Sequence, residues 1–139
     1  MRIAVIDGQG GGIGKHIVEK IRSSFVHRVE IIALGTNALA TAQMLKAGAN
    51  EGATGENAIC YTAPKVDVIM GSVAILAANA MLGELTPKMS QSIGESQATK
   101  ILLPINRSRL EIVSVADEPL PHQIEAAVKR LKQLIEGEK

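Results

Sequence analysis

The chain has no tryptophan, and Phe25 and Tyr61 are its only aromatic residues. It therefore lacks the usual means of stacking single-stranded bases, and its core must be built from Ile, Val, Leu, Ala and Met. Cysteine is almost missing as well. Cys60 stands alone, so no internal disulfide forms, and the expected setting is a reducing, cytoplasmic one with Cys60 an inert buried thiol. One cysteine and three separated histidines (His16, His27 and His122) make no zinc set, and no metal is expected. Neither charge is in excess, with 15 Lys and Arg against 14 Asp and Glu. That balance gives no electrostatic reason to expect a nucleic acid or an anionic membrane as partner. The first residues run straight into an apolar segment, with no basic leader or cleavage motif. The one long apolar run, Val68 to Gly83, is shorter than the roughly 20 residues that span a bilayer and contains Gly71, Ser72 and Asn79. It is expected to be a buried strand entering an apolar helix.

What is present is an alternation of strands and helices across 139 residues, the length of one domain. Ile3 to Ile6 form an unbroken apolar run, as a central parallel strand covered on both faces requires. Ile13, Ile17, Val18, Ile21 and Phe25 recur at helical spacing over 13–25. Val29 to Leu34 predicts a second strand. Thr36 and Asn37 can cap the next helix, with Ala38, Ala42, Leu45 and Ala49 on one face and Gly48 as its stop. Residues 50–57 read as a loop, Ala58 to Tyr61 as a weak third strand and Val66 to Met70 as a fourth. Thr62 to Lys65 is too short for a parallel crossover between those two, so the third is very short, antiparallel or not a strand. Thr86 and Pro87 open a helix that Gly94 can end. Strands are expected over Lys100 to Ile105 and Leu110 to Val115, and a last helix after Pro119 and Pro121 carries Ile124, Val128, Leu131 and Ile135 on one face. The sum is an α/β fold: a three-layer Rossmann-like sandwich around a mostly parallel sheet, with room for an antiparallel edge from the last strand.

The most informative segment joins the first strand to the first helix: Asp7-Gly8-Gln9-Gly10-Gly11-Gly12-Ile13-Gly14-Lys15. Five glycines in seven positions cost chain entropy unless the backbone needs them. Glycine lets several amides point at one anion, and the helix N-terminus adds partial positive charge. The G-x-G-x-x-G fingerprint fails, because its third glycine would be Ile13. The P-loop pattern fails at Gln9 and His16. G-x-x-x-G-x-G fits, as Gly8, Gly12 and Gly14. This turn resembles the cofactor turn of short-chain dehydrogenases and reductases, whose ending is matched by Gly12-Ile13-Gly14. Asp7, Gly8, Gly10, Gly11, Gly12, Ile13 and Gly14 are therefore candidate cofactor-binding residues.

The second strand ends in Gly35-Thr36-Asn37, with no acid to hold a ribose 2′-hydroxyl. Thr36 and Asn37 are candidates to face an adenine ribose or its 2′-phosphate, which would favour NADP; capping a helix is their alternative role. Gly71 and Asn79 follow the fourth strand and are candidates at a strand-end site, and Asn106 and Arg107 follow the fifth likewise. Asp7 is expected to orient the glycine loop. Tyr61-x-x-x-Lys65 matches the dehydrogenase catalytic pair in letters only, since it precedes the fourth strand and contains Pro64.

Beyond the turn, the strings IAVIDGQGGGIGK, IIALGTNALAT, KAGANEGATGENAI, MLGELTPKM and DEPLPH resemble a family of short bacterial proteins of unknown function. That resemblance implies a Rossmann-like fold and no particular activity. Three readings of function follow: a protein binding NADP or another adenine nucleotide; a small enzyme on a nucleotide or phosphorylated metabolite, with Asp7, Asn79 and Arg107 lining a site shared across a dimer; or a ligand-free homo-oligomer, most simply a dimer, that uses excess apolar surface between Val73 and Leu85.

Overall fold

The structure, a computed structural model, describes residues 1–25, 29–105 and 109–137. His27, Asn106 and Arg107 lie outside the described residues. The strands are β1 (Arg2–Asp7), β2 (Glu30–Gly35), β3 (Glu51–Thr54), β4 (Val68–Ser72) and β5 (Thr99–Leu103). The helices are α1 (Gly12–Phe25), α2 (Ala38–Lys46), α3 (Glu56–Thr62), α4 (Pro87–Glu95) and α5 (Leu120–Ile135). The sheet order is β3-β2-β1-β4-β5, and every neighbouring pair is parallel.

The period of two along the strands sorts the core into two layers. Ile3 and Val5 of β1, with Ile31, Val68 and Met70, pack against Ile17 and Ile21 of α1, Met44 of α2 and Val128 and Leu131 of α5. Ala4 and Ile6, with Ile32, Leu34 and Ile69, pack against Ile59 of α3 and Met89 and Ile93 of α4. The helices therefore cover both faces, giving the expected three-layer α/β sandwich.

Several expectations are corrected. Residues 51–54, expected as loop, are the third strand, pairing with β2 from Ile32↔Glu51 to Gly35↔Thr54. Residues 58–61, expected as a weak strand, lie inside α3, which presents the buried Ile59 to the sheet. The crossover that seemed too short is thus supplied by α3 itself. The second helix buries Ala40, Thr41 and Met44, not the face through Ala42 and Leu45; Leu45 is exposed. Its buried face is set by how closely it approaches the glycine turn. Val73–Leu76 is a 3-10 turn followed by further turns, not a helix, and its Ile75, with Ala80 and Leu85 after it, is buried within the chain. The sheet has no antiparallel edge: 110–115 joins no strand among the described residues, and Val113 is 86% exposed. Cys60 is half-buried rather than buried.

A contrast of two substitutions tests this architecture. Ile69, fully buried in β4, should lose about 2–5 kcal/mol of stability as Ile69→Ala. Val113→Asp should change stability by no more than about 0.5 kcal/mol, as at other exposed positions. Urea denaturation measures both, and a large cost at Val113 would mean that its segment is held in the sheet.

Candidate functional site

Strand order reverses between β1 and β4, since β2 and β3 extend the sheet on one side of β1 and β4 and β5 on the other. Parallel strands diverging from such a point leave a crevice beyond their carboxyl ends. The glycine turn is there. Asp7 closes β1 and is only 5% exposed. Its Oδ1 accepts the Gly8 amide at 2.8 Å and its Oδ2 accepts the Gly14 amide at 2.6 Å. One carboxylate thus ties the start of the turn to the first turn of α1, the orienting role expected for it.

The glycines divide into two groups. Gly11 has φ +75°, and a Cβ there would lie 2.7 Å from the Ala40 Cα. A Cβ on Gly14 would lie 2.6 Å from Met44 Sδ and 2.9 Å from Asp7 Cβ, and one on Gly8 would meet Thr36 Oγ1 at 2.4 Å. These three are required by the packing of the chain on itself. Gly10 and Gly12 are not. Both are exposed, neither has positive φ, and a Cβ on either would meet nothing within 4 Å. The amides of Gly10, Gly12 and Ile13 also find no acceptor among the described residues, whereas Gly11 donates to Gly8 O at 3.0 Å and Lys15 to Gly11 O at 3.0 Å.

These amides border a cavity of about 380 Å³ lined by residues 7–13 of the turn, His16 of α1, Ser72 at the end of β4, Ala74, Met81, Leu82 and Leu120 at the start of α5. Ser72 is buried and its Oγ accepts the Ala74 amide at 3.0 Å. Met81 and Leu82 belong to a compact loop closed by Asn79 N to Leu85 O (2.8 Å) and Leu85 N to Ala80 O (3.1 Å). In it Asn79, Met81 and Leu82 adopt φ of +65°, +60° and +56°, a conformation that side chains other than glycine or asparagine adopt at a cost.

That loop also delivers Glu84. Its Oε1 accepts three hydrogen bonds, from Gln9 N at 2.8 Å, Thr36 Oγ1 at 2.7 Å and Asn37 Nδ2 at 2.8 Å. Asn37 Nδ2 also reaches Gln9 O at 2.9 Å, while its Oδ1 caps α2 by accepting the Ala40 amide at 2.9 Å. The Thr36 hydroxyl above all, with the Gln9 amide and the Asn37 side chain, holds the Glu84 carboxyl below the ordinary carboxylate range against the smaller effect of burial.

Of the residues singled out in the sequence, Asp7, Gly8, Gly10, Gly11, Gly12 and Ile13 line the cavity, and Gly14 braces the turn from behind. Thr36 and Asn37 stand beside it and are engaged with Glu84. Gly71 is buried in β4, where a Cβ would approach Ile6 O to 2.7 Å, so packing explains it. Asn79 is exposed and shapes the loop rather than lining the cavity. Glu84, Met81, Leu82 and Leu120 had no local sequence signal and are brought in by the fold. Tyr61 and Lys65 do touch, with the Lys65 ammonium 3.1 Å from the ring centroid. Lys65 O, however, accepts from Arg2 at the start of β1. The length of β1, about 20 Å, separates the pair from the glycine turn. Among the described residues no His, Cys, Asp and Glu gather as a metal set, and no helix is long and apolar enough to cross a membrane.

A family model described as a domain of unknown function (DUF3842) matches residues 2–136. No curated protein matches the chain. Among solved structures it is similar to a universal stress protein in complex with cAMP, at 17% identity over 71% of this chain and 94% of that chain with a TM-score of 0.41. It is also similar to a dodecameric FMN-dependent UbiX-like decarboxylase from Escherichia coli O157:H7, at 9% identity over 100% of this chain and 96% of that chain with a TM-score of 0.47. Likeness at this level says nothing of what this chain binds.

Two outcomes are expected from the site. Asp7→Asn keeps one acceptor oxygen and turns a donor toward an amide, and should cost about 1–3 kcal/mol in chemical denaturation. Glu84 has a lowered folded-state pKa, so its stabilisation is full above the unfolded value, about 4.3, and is lost as pH falls through the folded one. The difference in melting temperature between the unsubstituted chain and Glu84→Ala should therefore shrink as pH drops from about 6 to about 3.

Proposed function

The chain belongs to the DUF3842 family, and we propose that it is a nucleotide-binding protein whose ligand phosphate rests on the amides of Gly10, Gly12 and Ile13. One observation carries this reading. Gly10 and Gly12 are glycines that neither the backbone conformation nor the packing requires, and they border a cavity together with amides that have no acceptor among the described residues. Glycine at such places costs stability, and space for a ligand against the backbone is the return that balances it. The N-terminus of α1, 14 residues long, adds partial positive charge at the same spot.

The remainder of the cavity suits the other parts of a nucleotide. Its volume, about 380 Å³, lies within the range of small-molecule sites. Met81, Leu82 and Leu120 offer apolar surface for a base, and the Ser72 hydroxyl stands ready to donate to a phosphate or sugar oxygen. A 2′-phosphate of NADP would depend on Thr36 and Asn37, and their engagement with Glu84 removes that support. The reading is therefore an adenine or related nucleotide bound through its 5′-phosphates.

The test is a thermal-shift panel of nucleotides at millimolar concentration on the unsubstituted chain and on Gly12→Val. A ligand at about a hundred times its Kd adds about 2.7 kcal/mol to the stability of the folded state, a rise of several degrees in Tm. Gly12→Val should fold normally, because its side chain enters open space, and should show no shift. Absence of a shift with every nucleotide on the unsubstituted chain would overturn the reading.

A further inference from the structure

We propose that His16 supplies the cation of this pocket: a phosphate bound at the glycine turn draws a proton onto its imidazole, so that nucleotide binding is coupled to proton uptake. The inference rests on the nucleotide reading of the glycine turn and deepens it by assigning the charge that balances the phosphate.

Of the residues that line the cavity, only Asp7 and His16 can carry charge, and only His16 a positive one. Lys15, its neighbour in sequence, does not line it. His16 stands four residues after Gly12, the first residue of α1, so the two share one face of the helix. Helical side chains lean back over the turn before them, and at Gly12 no side chain stands in the way: a Cβ there would meet nothing within 4 Å. His16 is exposed, and the one polar contact of its imidazole among the described residues is Glu19, whose Oε2 is 3.5 Å from Nδ1. A separate observation says that an acceptor belongs in the same cavity. Ser72 lines it and is only 5% exposed. Its Oγ accepts the Ala74 amide at 3.0 Å, yet its own hydroxyl proton has no acceptor among the described residues. A buried donor left unpaired is costly, and a phosphate oxygen fills that gap.

Charge around the imidazole sets the coupling. A neutral imidazole donates at one nitrogen and a protonated one at both. With the Glu19 carboxylate beside Nδ1 and a phosphate in the cavity, the ring has two anionic neighbours, and the doubly protonated form is favoured. Until the phosphate arrives, the partial positive charge of the α1 terminus opposes a cation there; the phosphate reverses that field. Other charged groups surround the ring. Asp7 lines the same cavity, with both oxygens bonded to amides of the turn. Lys15 adjoins His16 in α1. Lys20 of α1 and Glu125 of α5 line the groove between those helices together with His16 and Glu19. The two glutamates favour an imidazolium and the two lysines oppose it. All of these groups are present in the free and the bound chain alike, so the change in protonation on binding comes from the phosphate.

Isothermal titration of the full chain with ADP at about pH 7, in two buffers of different ionisation enthalpy, counts the protons taken up. The ADP phosphate itself exchanges protons in this range, so His16→Asn, which cannot be protonated, serves as the reference. His16 is exposed, and the variant should fold as the unsubstituted chain does. The unsubstituted chain should take up more protons per ADP bound than His16→Asn. At about pH 6 it should also bind ADP about three- to tenfold more tightly than the variant, a modest factor because the ring is half in solvent. That difference should shrink as pH rises to about 8.5. Adenosine, which carries no phosphate, should show no difference between the two proteins. Equal proton uptake by the two proteins would overturn the inference and leave the nucleotide reading standing. An equal loss of ADP and adenosine affinity in His16→Asn would also overturn it, because the ring would then meet the base or the sugar. Failure of ADP to bind the unsubstituted chain would remove the nucleotide reading and this inference with it.

Discussion

The Asp7 carboxylate, bonded at one oxygen to Gly8 and at the other to Gly14, is the constraint from which the rest of the site follows. A buried carboxyl is tolerable only when its polar atoms are hydrogen-bonded, and amides of the chain's own turn bond both of its oxygens here. Closing that bridge pulls the start of α1 against the end of β1. The remaining residues of the turn must then bulge outward. The donors of the turn are thereby divided: those of Gly8 and Gly14 hold the shape, and those of Gly10, Gly12 and Ile13 are left without an acceptor among the described residues. A turn of the same composition without the carboxylate would have no reason to keep that division.

The second constraint comes from the segment between β4 and α4. Asn79, Met81 and Leu82 adopt left-handed backbone angles, and at Met81 and Leu82, which are neither glycine nor asparagine, each costs of the order of 1 kcal/mol. The cost is met by bonds that close the loop on itself and by Leu85, whose side chain is fully buried. What the strained loop achieves is reach. It carries Met81 and Leu82 over the cavity and places Glu84 where the ends of β1 and β2 meet. The ends of β1 and β2 are then linked by one side chain of that loop, so the turn is held by more than the sheet alone.

Much of this architecture can be read from the sequence, and the failures have identifiable causes. The apolar runs of β1, β2 and β4 and the spacing of Ile17, Ile21 and Phe25 carry their own periodicity. Asn37, Thr86 and Pro87 mark helix starts through local chemistry. β3 has no such signal, because it is an edge strand of four residues with little buried side chain; its pairing comes from β2 and not from its own composition. Ala58 to Tyr61 looked extended because Ile59 and its neighbours are apolar, but a helix of seven residues needs only one buried contact of that kind. The segment 110–115 has strand-forming residues and no partner, a reminder that β propensity describes fit to a surface. The cavity was legible only in part. The glycine turn announces itself, while Glu84 sits in an ordinary stretch of sequence and takes on meaning only when the β4–α4 loop brings it beside Thr36 and Asn37.

The charge around the glycine turn is asymmetric over a short distance. On one side, amides without an acceptor among the described residues and the α1 terminus favour negative charge. On the other, Glu84 bonds the Gln9 amide from outside the cavity lining and brings a carboxylate that forms no ion pair among the described residues. Because the two sides depend on separate devices, the Asp7 bridge and the strained loop, either can be weakened while the other persists, and the contribution of each to holding the turn is separable by a double-mutant cycle.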